Sequence, residues 1–190
     1  PSLRPGSVEA VHLLSQAARL AFADRERYLA DADFSTVPVA GLLNPDYLAA
    51  RARLIDPQRN LVAALAGEPE GAMPLADDEA IEFENTSHLS VVDQYGNAVS
   101  MTTSIENVFG SGLMVNGYLL NNQLTDFSLR ASVNGKLVAN RVEGGKRPRS
   151  SMAPMMVFDQ DNNLKLLTGS PGGSRIINYV SQNLVAVLDW

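Results

Sequence analysis

The stretch Thr86-Ser87-His88-Leu89-Ser90-Val91-Val92-Asp93-Gln94-Tyr95-Gly96-Asn97-Ala98-Val99-Ser100-Met101-Thr102-Thr103-Ser104 decides the fold class. Its two outer runs, 87–93 and 98–104, contain several β-branched residues. Between them Gln94, Tyr95, Gly96 and Asn97 form a turn-like cluster, so the stretch predicts two strands closed into a hairpin.

Outward from this hairpin the texture changes on both sides. Upstream, 67–79 is rich in Gly, Pro, Ala and acid without periodicity, which predicts an exposed linker. Further upstream Ser7 can cap a helix over 8–29, where Val8, Val11, Leu14, Ala18 and Ala21 recur at three- and four-residue spacing. Asn44 as cap, Pro45 at the first helical position and Pro57 as stop predict a second helix. Downstream, 155–158 and 164–167 predict a second hairpin across Asp159 to Asn163, and the spacing of Ile176, Ile177, Val180, Leu184 and Val187 predicts a closing helix. Helices, then hairpins, then a helix predict an α+β layered domain rather than an alternating α/β one.

Composition narrows the chemistry. The 190 residues are 45% hydrophobic, enough for one sizeable core, and the formal net charge of −6 offers no basic face to a nucleic acid backbone. With no cysteine, thiolate catalysis, disulfides and thiolate metal sites are excluded. The two histidines, His12 and His88, lack the paired spacing of a zinc helix motif, which argues against a metal hydrolase; either could still complete a Ser-His-Asp triad. No uninterrupted apolar run of about 18 residues predicts a membrane span. Residues 1–6 do not read as an export signal, and both ends read as interior to something longer.

Four polar or glycine-rich segments interrupt the apolar runs: Asn85 to His88, Thr102 to Glu106, Asn121 to Gln123 with Asp126, and Ser170 to Arg175. Each has a structural explanation in cross-strand pairs, Asn turns or a glycine bend. Glycines just before a helix also leave backbone N–H groups converging on one spot, suited to a phosphate or to the oxyanion of acyl transfer.

In order, the motifs are Thr86 to Asp93, Gly96-Asn97-Ala98-Val99, Phe109-Gly110-Ser111-Gly112, Leu120-Asn121-Asn122-Gln123, Lys146-Arg147-Pro148 with Ser150-Ser151-Met152, and Gly169 to Arg175. Phe22-Ala23-Asp24-Arg25 and Tyr28-Leu29 extend the series to the N-terminal helices. The whole resembles the γ-glutamyltransferase family of N-terminal-nucleophile hydrolases. That resemblance implies part of an αββα sandwich, stacked antiparallel sheets flanked by helices, incomplete in this piece. It divides the chain into 1–85, the end of a large-subunit region, and 86–190, the start of the small catalytic subunit, together one structural domain.

The resemblance also implies a mechanism. The backbone is cut between Asn85 and Thr86, and the freed Thr86 is nucleophile while its α-amine is base. Ser104 orients the Thr86 hydroxyl, and the N–H groups of Gly172 and Gly173 hold the oxyanion. Ser150 and Ser151 take a substrate α-carboxylate; Gln123, Asp126 and Glu106 take its α-ammonium. No metal or cofactor is implied. The partners are a small γ-glutamyl donor, an amine acceptor, the remainder of the large subunit and a further copy of the chain; periplasmic or secreted location goes with the family.

Departures from the family pattern also carry information. Glu106 stands where well-studied members have Asn, Ser104 replaces a frequent Thr, the 127–146 segment is short and lacks a lid tyrosine, and no arginine matches the family's substrate-carboxylate arginine. These leave open a glutaryl or cephalosporin-type amide acylase on the same scaffold, or a non-catalytic domain binding an anion at Gly172-Gly173. Little activity is expected of the 190 residues alone.

Overall fold

A computed structural model describes residues 3–83 and 85–190. The reading of residues 1–6 begins on Pro1 and Ser2, which lie outside the described residues. In chain order the helices are α1 (Val8–Tyr28), α2 (Val39–Leu42), α3 (Pro45–Ala52) and α4 (Ile176–Leu188). The strands are β1 (Ser87–Val92), β2 (Ala98–Thr103), β3 (Met114–Val115), β4 (Tyr118–Leu119), β5 (Ser132–Val133), β6 (Lys136–Leu137), β7 (Met155–Phe158) and β8 (Leu164–Thr168). They pair as four separate two-stranded antiparallel sheets, so the α+β class holds. No described helix is long and apolar enough to cross a membrane.

The chain forms two compact units: one takes in the chain up to Ala80 together with Phe127–Arg149, the other Ile81–Asp126 together with Ser150–Trp190. The borders of these units differ from the 85/86 division that the family resemblance implies.

In the first unit the caps act as the sequence predicts. Ser7 Oγ accepts from the Ala10 N–H at 3.2 Å, and Asn44 Oδ1 accepts from the Asp46 N–H at 2.8 Å, each satisfying an orphan donor of a first turn. The buried stripe of α1 differs from the expected one. Val8 is 82% and Val11 58% exposed, whereas Gln16, Leu20, Asp24 and Tyr28 are buried at strict four-residue spacing. The physical reason lies in the irregular chain after α3, whose backbone groups need partners. Gln16 Oε1 accepts from the Leu61 N–H at 3.0 Å, Asp24 Oδ1 from the Gly67 N–H at 2.7 Å, and the Tyr28 hydroxyl donates to the Gly67 carbonyl at 2.7 Å.

The 67–79 stretch is irregular as expected, yet it is not simply a solvated linker. Asp78 is buried, accepts from Asn140 Nδ2 at 2.8 Å and lies 3.3 Å from Arg149 Nη2, which also meets Glu26 at 2.8 Å. Lys146 and Arg147 of the Lys-Arg-Pro motif serve this unit too. The Lys146 ammonium donates to the Ala139 and Arg141 carbonyls, and Arg147 clamps Asp31 with two nitrogens at 2.8 and 2.9 Å, holding that carboxyl well below the usual carboxylate range.

In the second unit β1 and β2 pair from Ser87 opposite Thr103 to Val92 opposite Ala98. Asp93 Oδ1 closes the turn by accepting from the Tyr95 and Asn97 N–H groups, both at 2.8 Å. The β7–β8 hairpin repeats the device with Asp159, which accepts from Asp161 N–H at 3.0 Å and Asn163 N–H at 2.8 Å. These are Asx turns, in which a carboxylate replaces a backbone acceptor. Two small hairpins were not anticipated: β3–β4 around Asn116-Gly117 and, in the first unit, β5–β6 around Asn134-Gly135. Asn116 and Asn134 have φ of 50° and their glycines 84° and 76°, the left-handed pair that a two-residue loop requires.

Candidate active site

The register of the first hairpin brings its two ends together. Ser87 faces Thr103, so Thr86 and Ser104, the flanking positions, emerge side by side at the open end. There the Ser104 hydroxyl donates to the Asn85 carbonyl at 2.6 Å and accepts from the Glu106 N–H at 2.8 Å. Thr86, half-buried, opens onto a cleft of the second unit that Glu82, Phe83, Ser104, Glu106, Gln123, Asp126, Ser150, Ser151, Met152, Gly173 and Ile176 also line. Eight of the residues singled out from sequence thus share one cleft, although 87 positions separate Thr86 from Gly173.

The floor of the cleft is acidic. Glu106 and Asp126 are 3% and 4% exposed, and one nitrogen, Gln123 Nε2, donates to both, at 2.8 Å to Glu106 and 3.1 Å to Asp126. The short 3-10 turn Gln123–Asp126 presents Gln123 and Asp126 together. Burial, reinforced by the neighbouring Glu106 charge, pushes the Asp126 carboxyl up to about 7. Glu106 itself sits at φ 73°, a conformation costly for a residue with a long side chain and most often kept where a site needs it. Two carboxyl groups bridged by an amide, one of them retaining a proton near neutrality, make a place for a cation that is small and hydrogen-bond-donating.

The opposite wall is made of hydroxyls. Ser151 Oγ donates to Glu82 Oε2 at 2.7 Å, and Ser150 Oγ accepts from the Met152 N–H at 3.2 Å. Gly173, buried, reaches the cleft from the turn that opens α4; Gly172 precedes it, with its carbonyl accepting from the Arg175 N–H at 3.0 Å. Both glycines have left-handed φ, 132° and 55°, and a side chain on Gly172 would meet Tyr179 Cε2 at 2.8 Å. The bend therefore requires glycine on two grounds.

His88 does not enter this wall. Its Nδ1 pairs with Thr102 Oγ1 at 2.8 Å and its Nε2 with Ser90 Oγ at 3.1 Å, and its ring lies where any side chain on Gly169 would fall, 2.1 Å from the added atom. Glu82 and Phe83 are the cleft residues that sequence reasoning missed. An acid and an aromatic just upstream of a threonine carry no distinguishing pattern.

Comparisons with known proteins identify the family. The gamma-glutamyltranspeptidase family matches residues 2–190. The glutathione hydrolase proenzyme of Bacillus subtilis (strain 168) is 39% identical over 97% of this chain and 32% of its own length. The acylase ACY 1 proenzyme of Pseudomonas sp. (strain SE83) is 34% identical over 99% of this chain and 31% of its own. A solved gamma-glutamyltranspeptidase from Pseudomonas nitroreducens complexed with L-DON is 44% identical over 54% of this chain and 56% of that one, with a TM-score of 0.47. The chain spans about a third of the length of the curated relatives it matches. On a match that runs through both compact units and every motif of the cleft, the chain belongs to the gamma-glutamyltranspeptidase family.

Proposed function

We propose that this chain is the central part of a γ-glutamyltransferase or hydrolase precursor in which Thr86 is the nucleophile. The observation that carries the reading is the Ser104 hydroxyl on the carbonyl of Asn85, 2.6 Å away, beside Thr86. In the first step the Thr86 hydroxyl oxygen attacks the Asn85 carbonyl carbon, and negative charge develops on the carbonyl oxygen that Ser104 already contacts. Collapse breaks the C–N bond, the nitrogen takes a proton, and an ester links Asn85 to Thr86 Oγ. Water hydrolyses the ester, leaving residues up to Asn85 and a second chain that begins at Thr86.

In the cut protein the Thr86 α-amine, with an ordinary pKa of about 8, takes the hydroxyl proton as Thr86 attacks the γ-carbonyl of a donor. The cleft supports a donor that is an amino acid at its far end. Gln123, Glu106 and Asp126 suit its α-ammonium, Ser150 and Ser151 its α-carboxylate, and the N–H groups of Gly172 and Gly173 the oxyanion. The amine leaving group departs, and water or an amino acid amine takes the γ-glutamyl group from Thr86. The remainder of the large subunit would complete the donor site, and export to the periplasm or beyond accords with the family resemblance.

The acylase relative supports a second reading, an amide acylase on the same scaffold, with the glutaryl-type donor that the sequence leaves open. Such a donor has no α-ammonium, so the buried Glu106 and Asp126 pair would meet an uncharged methylene and gain nothing. The acidic floor therefore favours γ-glutamyl donors. Intact mass over several days tests the first step: loss of the 20.4 kDa species into two pieces meeting at Asn85 and Thr86, absent in Thr86→Ala, supports it. Cleavage at the same rate in Thr86→Ala would remove Thr86 from the mechanism.

A further inference from the structure

The two glycines of the turn before α4 have the widest backbone freedom of any residue type, so their N–H groups are aimed by what holds them from outside. A peptide group is planar, and the N–H of one residue points away from the carbonyl of the residue before it. The Gly173 N–H therefore follows the Gly172 carbonyl, which accepts from the Arg175 N–H at 3.0 Å at the entry to α4. The Gly172 N–H follows the Pro171 carbonyl, which accepts from its own neighbour, Ser170 Oγ, at 2.7 Å. That bond lies within the turn and ties it to nothing else. What meets Gly172 from outside is an aromatic ring: Tyr179 Cε2 and Cδ2 stand 2.8 and 3.3 Å from the place a Cβ would take on this glycine.

We infer that Tyr179 is a positioning residue whose ring backs Gly172 and holds its N–H on the oxyanion. The inference rests on the assignment of the Gly172 and Gly173 N–H groups to the oxyanion under the proposed function. The ring is suited to the task because the helix that carries it is anchored. Ile176 and Val180, on either side of Tyr179 in α4, are both buried, so the backbone that delivers the ring is fixed. A flat, stiff ring with two rotatable bonds passes that fixity to the glycine it touches. The other end of the turn is gripped in the same way, since Gly169 lies against the His88 ring, itself held by Thr102 and Ser90. Tyr179 is nevertheless 42% exposed, so its removal costs the core little, and a change in the chemistry can be read apart from a change in folding.

The test compares two inhibitors of the complete, processed protein acting on a γ-glutamyl anilide. L-Glutamate is planar at its γ-carbon. A γ-boronic acid analogue of glutamate instead takes the Thr86 hydroxyl oxygen on boron, passes the hydroxyl proton to the α-amine and becomes a tetrahedral anion, as the transition state does. Inhibition constants do not depend on how much of a preparation is folded, so a purely structural role leaves both unchanged. Tyr179→Ala should weaken the boronate about tenfold or more and lower kcat in step, while KM and L-glutamate inhibition stay within about twofold. Tyr179→Phe, which keeps the ring, should restore parent values. Unaltered boronate inhibition in Tyr179→Ala, or equal weakening of both inhibitors, overturns the inference and leaves the donor site standing. A boronate that inhibits the parent no more tightly than L-glutamate overturns the assignment of Thr86 and the glycine N–H groups, and the inference falls with it. If Tyr179→Ala fails to fold, Tyr179→Leu decides: selective weakening of the boronate supports the inference, and parent-like inhibition overturns it.

Discussion

Ser104 Oγ stands 2.6 Å from the carbonyl oxygen of Asn85 while accepting the N–H of Glu106 at 2.8 Å. The second contact fixes the hydroxyl's direction, so its hydrogen points at the atom on which charge would develop in the attack by Thr86 proposed above. Loss of one such donor costs a reaction of this kind about a hundredfold or more. Ser104→Ala should slow cutting between Asn85 and Thr86 by about that factor, and Ser104→Thr should retain most of the rate. Intact mass against time decides it, and an unaltered rate in Ser104→Ala would remove the hydroxyl from the step.

The acidic floor predicts a pH dependence of stability. Folding raises Asp126 from about 3.9, the ordinary carboxylate value, to about 7, so the folded chain binds more protons between those values. Its contribution is fully present below about pH 4 and lost as pH rises through 7. Asp126→Asn keeps an acceptor for Gln123 without the charge. It should match the parent near pH 4 and exceed it near pH 8, by on the order of 2 kcal/mol. Urea midpoints across that range measure the difference, and parallel curves for the two proteins would show that Asp126 titrates normally.

Much of this was legible in the residues, for identifiable reasons. Ser7, Asn44, Asp93 and Asp159 act on backbone groups within a few positions, so local spacing reveals them. The order of motifs likewise brought Thr86, Ser104, Gln123, Asp126 and Ser151 to one cleft. The Asn-Gly hairpins were readable from their loops but overlooked. What local pattern could not supply was the partner of a buried polar group. Gln16 and Asp24 occupy the buried face of α1 because Leu61 and Gly67, more than 40 positions away, need them, with |i−j| of 45 and 43. Glu82 in the cleft is the same kind of case, since its partner Ser151 lies 69 positions on.

Gly169 offers a test of the packing behind the site. A Cβ there would lie 2.1 Å from His88 Cε1 and 2.2 Å from its Nδ1, in a ring held by Thr102 and Ser90. The imidazole has hydrogen bonds at both nitrogens and cannot swing aside without breaking them. Gly169→Ala should therefore cost about 1–3 kcal/mol as an overpacking change. Pairing it with His88→Ala, which vacates the space, should restore part of the loss, and simple additivity of the two would place the ring elsewhere.

Glu106 bears most directly on what the site accepts. It is 3% exposed, at φ 73°, and contacts both Gln123 and the chain's own Phe83. Glu106→Gln keeps length and acceptor capacity but removes the charge that would face a donor ammonium. A hydrogen bond to a charged group contributes about 1.5–3 kcal/mol, so KM for a γ-glutamyl anilide should rise about ten- to a hundredfold in the complete, processed protein. A glutaryl anilide, with no ammonium to lose a partner, should be unaffected or improved, because the buried charge it could not satisfy is gone. The ratio of kcat/KM for the two donors cancels any general damage to folding or to Thr86. A ratio unchanged by Glu106→Gln would mean that the acidic floor does not read the ammonium, and selectivity would have to reside in the serine wall.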